Sequence, residues 1–306
     1  MKKDFLTISD LNQEEIYEIF NLTKELKVKT KSYQEHLVLK GYTLAMIFAK
    51  PSARTRISFE TGMFQLGGNA IYLAPSDIGL GKRESIKDVA RVISRYNNLI
   101  MARLFAHSDI LELAKYSTCP VINGLTDYNH PCQIMADAFT ILEHLGTIEH
   151  IKITYIGDGN NVANSWINFA SIIPVNLVIC TPPNFEPDQK TLVNATRQGK
   201  SEILIESNPK KAVDNADILY TDVWASMGQE KEAVKRKTIF QPYQLNKELL
   251  KLAKPDAKVM HCLPAHRGDE ITDEVIDGPQ SIVYDEAENR LHVQKAIMVK
   301  LAQNKN

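Results

Sequence analysis

Short apolar runs alternate with stretches of helical period along almost the whole chain, and this restricts the fold more than any other feature. "YTLAMIF" (42–48) has the length and composition of a buried strand. "RTRISFETGMFQLG" (54–67) then carries Phe59, Met63 and Leu66 at i, i+4 and i+7 before Gly67 and Gly68 end it. The pairing repeats with strands at 70–74, 98–103 and 120–123 and helices at 85–96, near 108–116 and at 131–146, where Pro131 suits a first turn. It then starts afresh. Strands are expected at 151–158, 175–180, 202–206, 217–223 and 258–264, with helices at 161–173, near 187–197 and briefly between the third and fourth of these strands. "SIVYDE" (281–286) reads as a further strand, and a helix closes the chain over about 286–302. Repeated βα units imply parallel sheets with helices on both faces. With 306 residues, two doubly wound α/β domains are expected, divided near 140–150 with the helix 131–146 as the bridge.

Composition removes several classes of function. Lys+Arg is 36 and Asp+Glu 37, a net charge of -1, whereas a general nucleic-acid binder carries a basic surplus. The four cysteines, Cys119, Cys132, Cys180 and Cys262, form no CxxC pair, so neither a zinc knuckle nor a disulfide framework is indicated and a reducing cytoplasm fits. "MKKDFLTISD" has two lysines but no apolar segment after them, unlike a signal peptide. No apolar run approaches the roughly 20 residues of a membrane helix.

The chemistry gathers where strands end. "KPSARTR" (50–56) follows a strand and opens a helix, with Ser52 at the N-cap position and Arg54, Thr55 and Arg56 in the first turn. Arginine there opposes the helix dipole, and an anion favours it. The segment therefore reads as a phosphate cradle rather than a plain cap. "MARLF" (101–105) ends a strand with Arg103; "NHPCQ" (129–133) sets His130 and Gln133 at a helix start, a pattern that a capping His and a surface Gln would also give. "GDGNNVANS" (157–165) lacks the third glycine of a dinucleotide fingerprint, since Val162 stands there, which disfavours an NAD-linked oxidoreductase. It does offer Asn160 and Asn161 at the carboxyl edge of a sheet, where ligands of open α/β sheets bind, or as helix caps. "TDVWASMG" (221–228) places Asp222 at a strand end, suited to an ammonium group, and "MHCLPAHRGDEI" (260–271) places Cys262 similarly, with Leu263 before Pro264 expected to be extended. Histidines 261 and 266 lack the spacing of HExxH, and no GxSxG elbow is present, so no metal centre or catalytic triad is expected.

Taken in order, "PSARTR", "ARLF", "HPCQ", "GDGNN", "DVWASMG" and "HCLPAHRG" closely resemble the motif series of the aspartate/ornithine carbamoyltransferase family, the last two being similar to its ornithine branch. The resemblance covers essentially the whole chain. It implies a carbamoyl-phosphate domain over 1–145 and 286–306, an amino-acid domain over 146–285, a last helix packing back on the first domain, and catalytic trimers. It implies carbamoyl transfer from carbamoyl phosphate to the δ-amine of L-ornithine, giving L-citrulline and phosphate in arginine biosynthesis or degradation, with no cofactor. By position, Ser52, Ala53, Arg54 and Thr55 would hold the phosphate, Arg103 the phosphate and carbonyl oxygen, and His130 and Gln133 the carbamoyl group. The carbonyls of Cys262 and Leu263 would accept from the carbamoyl NH₂, with Arg290 near the phosphate. Asn161, Asp222, Ser226 and Met227 would bind ornithine. Arg103, His130 and Cys262 would be catalytic. Two positions depart from the family pattern. Ala53 replaces a threonine, keeping its backbone N–H; Gly79 replaces a glutamine that reaches across subunits, a contact that Lys82 or Arg83 would have to supply. An aspartate acceptor would want arginines where "ASMG" stands, and there are none. Another amine, such as putrescine or a modified ornithine, is an alternative that an assay with each amine would separate, whereas Arg54, Arg103, His130, Gln133 and Asp222 argue against a non-catalytic homologue.

Overall fold

The computed structural model describes residues 4–79, 84–225 and 232–303. The chain divides into two compact units, one of Met1–Ala136 with Asn289–Asn306 and one of Asp137–Glu288.

The first unit is built on a four-stranded parallel sheet. In chain order its elements are α1 (Gln13–Lys31), β1 (Thr43–Phe48), α2 (Ala53–Gln65), β2 (Asn69–Leu73), α3 (Pro75–Ile78), α4 (Ile86–Tyr96), β3 (Leu99–Arg103), α5 (His107–Tyr116) and β4 (Val121–Leu125). The strands lie in the order β2-β1-β3-β4. The two central strands are apolar almost throughout and buried from Leu44 to Phe48 and from Leu99 to Ala102, as a parallel sheet covered on both faces requires. Val89, Ala90, Ile110 and Leu113 of α4 and α5 join Ala45, Ile47 and Ile100 in one core on one of those faces. The closing helix belongs here too: Leu291, Lys295 and Met298 close on Gly62 of α2, and Lys300 Nζ donates to Glu18 of α1 at 2.8 Å.

The second unit carries β5 (Lys152–Ile156), α7 (Asn161–Ala170), β6 (Asn176–Cys180), α8 (Gln189–Gln198), β7 (Glu202–Glu206), α9 (Pro209–Ala212), β8 (Ile218–Thr221), α10 (Ala233–Phe240), α11 (Lys247–Leu250), β9 (Lys258–His261) and α12 (Asp273–Ile276). Its five parallel strands run β7-β6-β5-β8-β9. The division between the units falls inside two helices, α6 (Pro131–Leu145) and α13 (Val283–Gln303).

Two local expectations are corrected. Segment 281–286 is not a strand: Ser281 forms a single bridge to Val259, Ile282 N–H donates to the Val259 carbonyl at 3.0 Å, and α13 starts at Val283. The edge of β9 thus engages one residue before the helix takes over. Leu263 is not extended either; its φ is 55°, and its N–H turns back to donate to His261 Nδ1 at 2.9 Å. The sequence reading also passed over α1, although Asn12 and Glu15 form a capping box at its start.

Candidate active site

In each sheet the strand order reverses once, between β1 and β3 in the first and between β5 and β8 in the second. Loops leaving the carboxyl ends of strands at such a point diverge and leave a crevice for ligand. Residues 52–55 follow β1, Arg103 ends β3, Asn161 opens the helix after β5 and Asp222 follows β8; His130 and Gln133 come after β4, Cys262 and Leu263 after β9, and Arg290 lies on α13.

In the first unit, α2 begins directly after β1. Ser52 is its N-cap residue by backbone geometry (φ -155°, ψ 110°), yet its side chain makes no capping hydrogen bond. Its hydroxyl instead donates to Thr55 Oγ1 at 3.2 Å. Ala53 and Arg54 are exposed, Ser52 is half-buried and Thr55 is buried. Arg56 turns aside: its Nε donates to Glu60 at 3.0 Å and its guanidinium lies 4.1 Å from the centre of the Tyr72 ring. Its charge is thus engaged on the helix surface, while Arg54 in the same first turn is exposed.

Arg103 ends β3 opposite Phe48 of β1, and its carbonyl accepts from Ala49 N–H at 2.8 Å. His130 immediately precedes α6 and is buried. Burial holds its imidazole well below the usual histidine range, with the charges of Arg290 and Arg103 acting in the same direction. Neutral His130 is therefore the form present at neutral pH. Gln133, in the first turn of α6, accepts from Arg290 Nη1. The Gln294 amide, oriented to satisfy both its ends, accepts from Arg290 Nη2 at 2.9 Å and donates to Ser58 of α2 at 2.6 Å. Arg290 is thus fixed between α6 and α2. One unit brings together Arg103, His130, Gln133 and Arg290: two guanidiniums, a neutral imidazole and an amide.

In the second unit, Asn160 caps α7, its Oδ1 accepting from Val162 and Ala163 N–H at 2.9 and 3.2 Å. Its Nδ2 donates to Asp222 Oδ2 at 2.8 Å, just past the end of β8. Asp222 Oδ1 accepts from Val223 N–H at 2.8 Å and from the Cys262 thiol at 3.0 Å. Burial, followed by the Asp222 charge and this bond, pushes the Cys262 thiol well above its ordinary range. Asn161 is the first residue of α7. Ser226 and Met227, with Lys82 and Arg83, lie outside the described residues.

Two features of this unit were not visible in the sequence. Arg236 Nη1 donates to Asp158 Oδ2 at 2.8 Å and to the Trp224 carbonyl at 3.0 Å, tying the segment after β8 to the end of β5. Burial pushes Asp158 up to about 6, with the Arg236 charge acting against it. The two glycines of "GDGNN" are also explained. Gly157 has φ +147°, and a Cβ at Gly159 would collide with the backbone of residues 185–187.

Asp222, His261 and Cys262 offer ligand atoms within 4.8 Å of one another. Each is already engaged. His261 Nδ1 accepts from Leu263 N–H, its Nε2 meets Glu270 Oε1 at 3.0 Å, and the thiol donates to Asp222. A cation would have to displace these bonds.

Gly79, where the family pattern has glutamine, stands at φ 58° as the left-handed cap of α3. Among the described residues no helix is long and apolar enough to cross a membrane.

The two switch points thus carry an uncapped helix start in one unit and a buried carboxylate in the other, features suited to an anionic and a cationic ligand respectively. Family models agree unit by unit. The aspartate/ornithine carbamoyltransferase carbamoyl-P binding domain matches residues 3–143, and the corresponding Asp/Orn binding domain matches residues 149–301. The chain belongs to the aspartate/ornithine carbamoyltransferase family. It is 54% identical over 298 residues to the chloroplastic ornithine carbamoyltransferase of Pisum sativum, covering 97% of this chain and 80% of that one. It is 53% identical over 300 residues to the anabolic ornithine carbamoyltransferase of Pyrococcus furiosus, covering 97% and 95%. The solved anabolic ornithine carbamoyltransferase of Campylobacter jejuni superposes with a TM-score of 0.94 at 36% identity, with 99% of each chain covered.

Proposed function

We propose that this chain carbamoylates L-ornithine: the carbamoyl group of carbamoyl phosphate passes to the δ-amine, giving L-citrulline and phosphate. The observation that carries this reading is the set Arg103, His130, Gln133 and Arg290, gathered beside an N-terminal helix turn that its own Ser52 side chain leaves uncapped. Family membership and relatives that are named for this activity at more than half identity support it.

Ser52, Ala53, Arg54 and Thr55 hold the phosphate, using helix N–H groups, hydroxyls and one guanidinium. Arg103 and Arg290 offset charge that builds on the leaving phosphate. Arg103, His130 and Thr55 stabilise the oxyanion as the amine adds to the carbonyl carbon, a preorganised donor being worth about 2.7–4 kcal/mol. A neutral His130 acts there as a hydrogen-bond donor and brings no charge of its own. Gln133 and the carbonyls of Cys262 and Leu263 orient the carbamoyl NH₂. Asp222, Asn161, Ser226 and Met227 hold ornithine, with Asp222 on the α-ammonium; a dicarboxylate acceptor would meet its charge with repulsion.

The attacking amine must shed a proton, since a free alkyl ammonium has a pKa of roughly 10.4. The Cys262 thiol is itself a donor to Asp222 and is pushed upward, which makes it a poor acceptor. The departing phosphate takes the proton.

A homotrimer fits the exposed apolar residues of α2 and the edge strand β2, namely Ile57, Phe64 and Ile71. Four free cysteines suit a cytoplasmic location. The test is a citrulline and phosphate-release assay with ornithine, putrescine and aspartate in turn. Turnover confined to ornithine is expected; equal turnover with putrescine, or none with any amine, would overturn the reading.

A further inference from the structure

Behind the second unit's candidate site lies a group of buried acids that the reaction above does not use. Asp137 of α6, Tyr220 of β8, His261 of β9 and Glu286 of α13 are all fully buried. The Tyr220 hydroxyl donates to Asp137 Oδ2 at 2.9 Å and stands 3.3 Å from Glu286 Oε1. The Glu286 and Asp137 carboxyls hydrogen-bond to each other. Glu286 Oε2 accepts from the backbone N–H of His261 at 2.9 Å.

Protons can be counted here. A tyrosine hydroxyl has one, and it is spent on Asp137. A carboxyl-to-carboxyl bond then needs a proton of its own, because two carboxylates are both acceptors. Glu286 Oε2 already accepts from the backbone, so the two carboxyls share one proton away from that oxygen. The groups acting on it include Asp137 from α6, Tyr220 and Asp222 from the β8 strand end, and His261 and Cys262 from the β9 end, with Arg290 one turn further along α13 bonded to Gln133. His261 Nδ1 accepts from Leu263 N–H at 2.9 Å and its Nε2 lies 3.0 Å from Glu270 Oε1.

We infer that Asp137, Glu286 and Tyr220 form a one-proton carboxyl pair that positions segment 261–263 for carbamoyl transfer. The inference rests on the reading that Cys262 and Leu263 present their carbonyls to the carbamoyl group. Glu286 grips the peptide N–H one residue before Cys262, and α6 and β8 grip Glu286. Burial, and next the Asp137 carboxylate, raise Glu286 well above the ordinary carboxylate range, which keeps the pair singly protonated at neutral pH. When alkali removes the shared proton, two like charges are left in contact, and segment 261–263 loses its fixed anchor.

The test compares Glu286→Gln with Glu286→Ala in the full-length enzyme. Glutamine reproduces the protonated acid, with a carbonyl for His261 N–H and an amide N–H for Asp137. Expected for Glu286→Gln is near-normal kcat with the alkaline limb of the pH profile moved up or abolished. Expected for Glu286→Ala is a loss of about tenfold or more in kcat, with a smaller change in KM, as when a hydrogen bond to a charged partner is removed. Infrared spectroscopy at neutral pH should show a buried protonated-carboxyl band that Glu286→Gln removes, a readout that needs no turnover. Equal activity of both variants would reduce the pair to core packing and overturn the inference. An inactive but folded Glu286→Gln would make Glu286 a proton-transfer group and overturn it too, as would the absence of the infrared band. A wild-type chain that carbamoylates no amine would overturn the functional reading and the positioning role together, while the infrared band would still decide the shared proton.

Discussion

The helix after β1 and the helix after β5 both open at the switch point of their sheets, and they begin in opposite ways. α2 starts with arginines and a Ser52 side chain that makes no cap. α7 starts with Asn160, which caps two backbone N–H groups and also grips Asp222. A side-chain cap satisfies donors that a ligand anion would otherwise satisfy. The first helix start leaves backbone donors that an anion can take, as the proposed phosphate site requires. The second is closed by its own chain, and the capping side chain also brackets the Asp222 carboxylate.

The comparison breaks most visibly at Arg103. Arg103→Ala should lower kcat by about 10²–10³, the loss of one preorganised oxyanion donor, while the thermal unfolding midpoint stays close to that of the parent; near-normal turnover would remove Arg103 from the reaction. Next comes Ser52→Asp, which gives α2 the cap and the negative charge it lacks. Its KM for carbamoyl phosphate should rise by about tenfold or more, since like charges 4 Å apart near a protein surface repel by about 4 kcal/mol before screening. The helix itself should become no less stable. Asn160→Ala should act on the other substrate, raising KM for ornithine several-fold as Asp222 loosens, at a stability cost of about 1 kcal/mol for the lost cap; steady-state kinetics and urea titration separate the two effects.

The smallest effect lies at the far end of α2. Lys295 is buried and donates to Gln65 Oε1 at 2.9 Å and Thr30 Oγ1 at 2.5 Å, and burial lowers it to about 8. Its folded-state pKa is below the unfolded one, so between pH 8 and about 10.4 the unfolded chain binds the extra proton and stability rises with pH. Lys295→Met should flatten that part of the stability curve. His130, held below its ordinary range, has the same sign on the acid side: the unfolded chain gains a proton as pH falls through about 6.5, and stability is lost there.

Much of this was legible in the sequence because parallel strands buried on both faces leave continuous apolar runs, as in "TLAMIF" and "KITYI", and because the helix 131–146 is strongly periodic. Residues at strand ends stood out by contrast with the apolar run before them, Arg103 and Asp222 among them. What escaped notice depends on contacts distant in sequence. Asn160 read equally as a ligand candidate or a helix cap, and only the fold shows which donors face it. The turn at Leu263 follows from a ring nitrogen of His261, against the usual preference before proline. Asp137, Tyr220 and Glu286 share no local pattern; α6, β8 and α13 bring them together.

The most direct measurement is the binding of inorganic phosphate by titration calorimetry to the parent chain, Ser52→Asp and Asn160→Ala. If the uncapped start of α2 is the phosphate site, the parent and Asn160→Ala bind alike and Ser52→Asp binds at least about tenfold more weakly, by the same charge repulsion. Equal binding by all three, or weakening by Asn160→Ala alone, would contradict it.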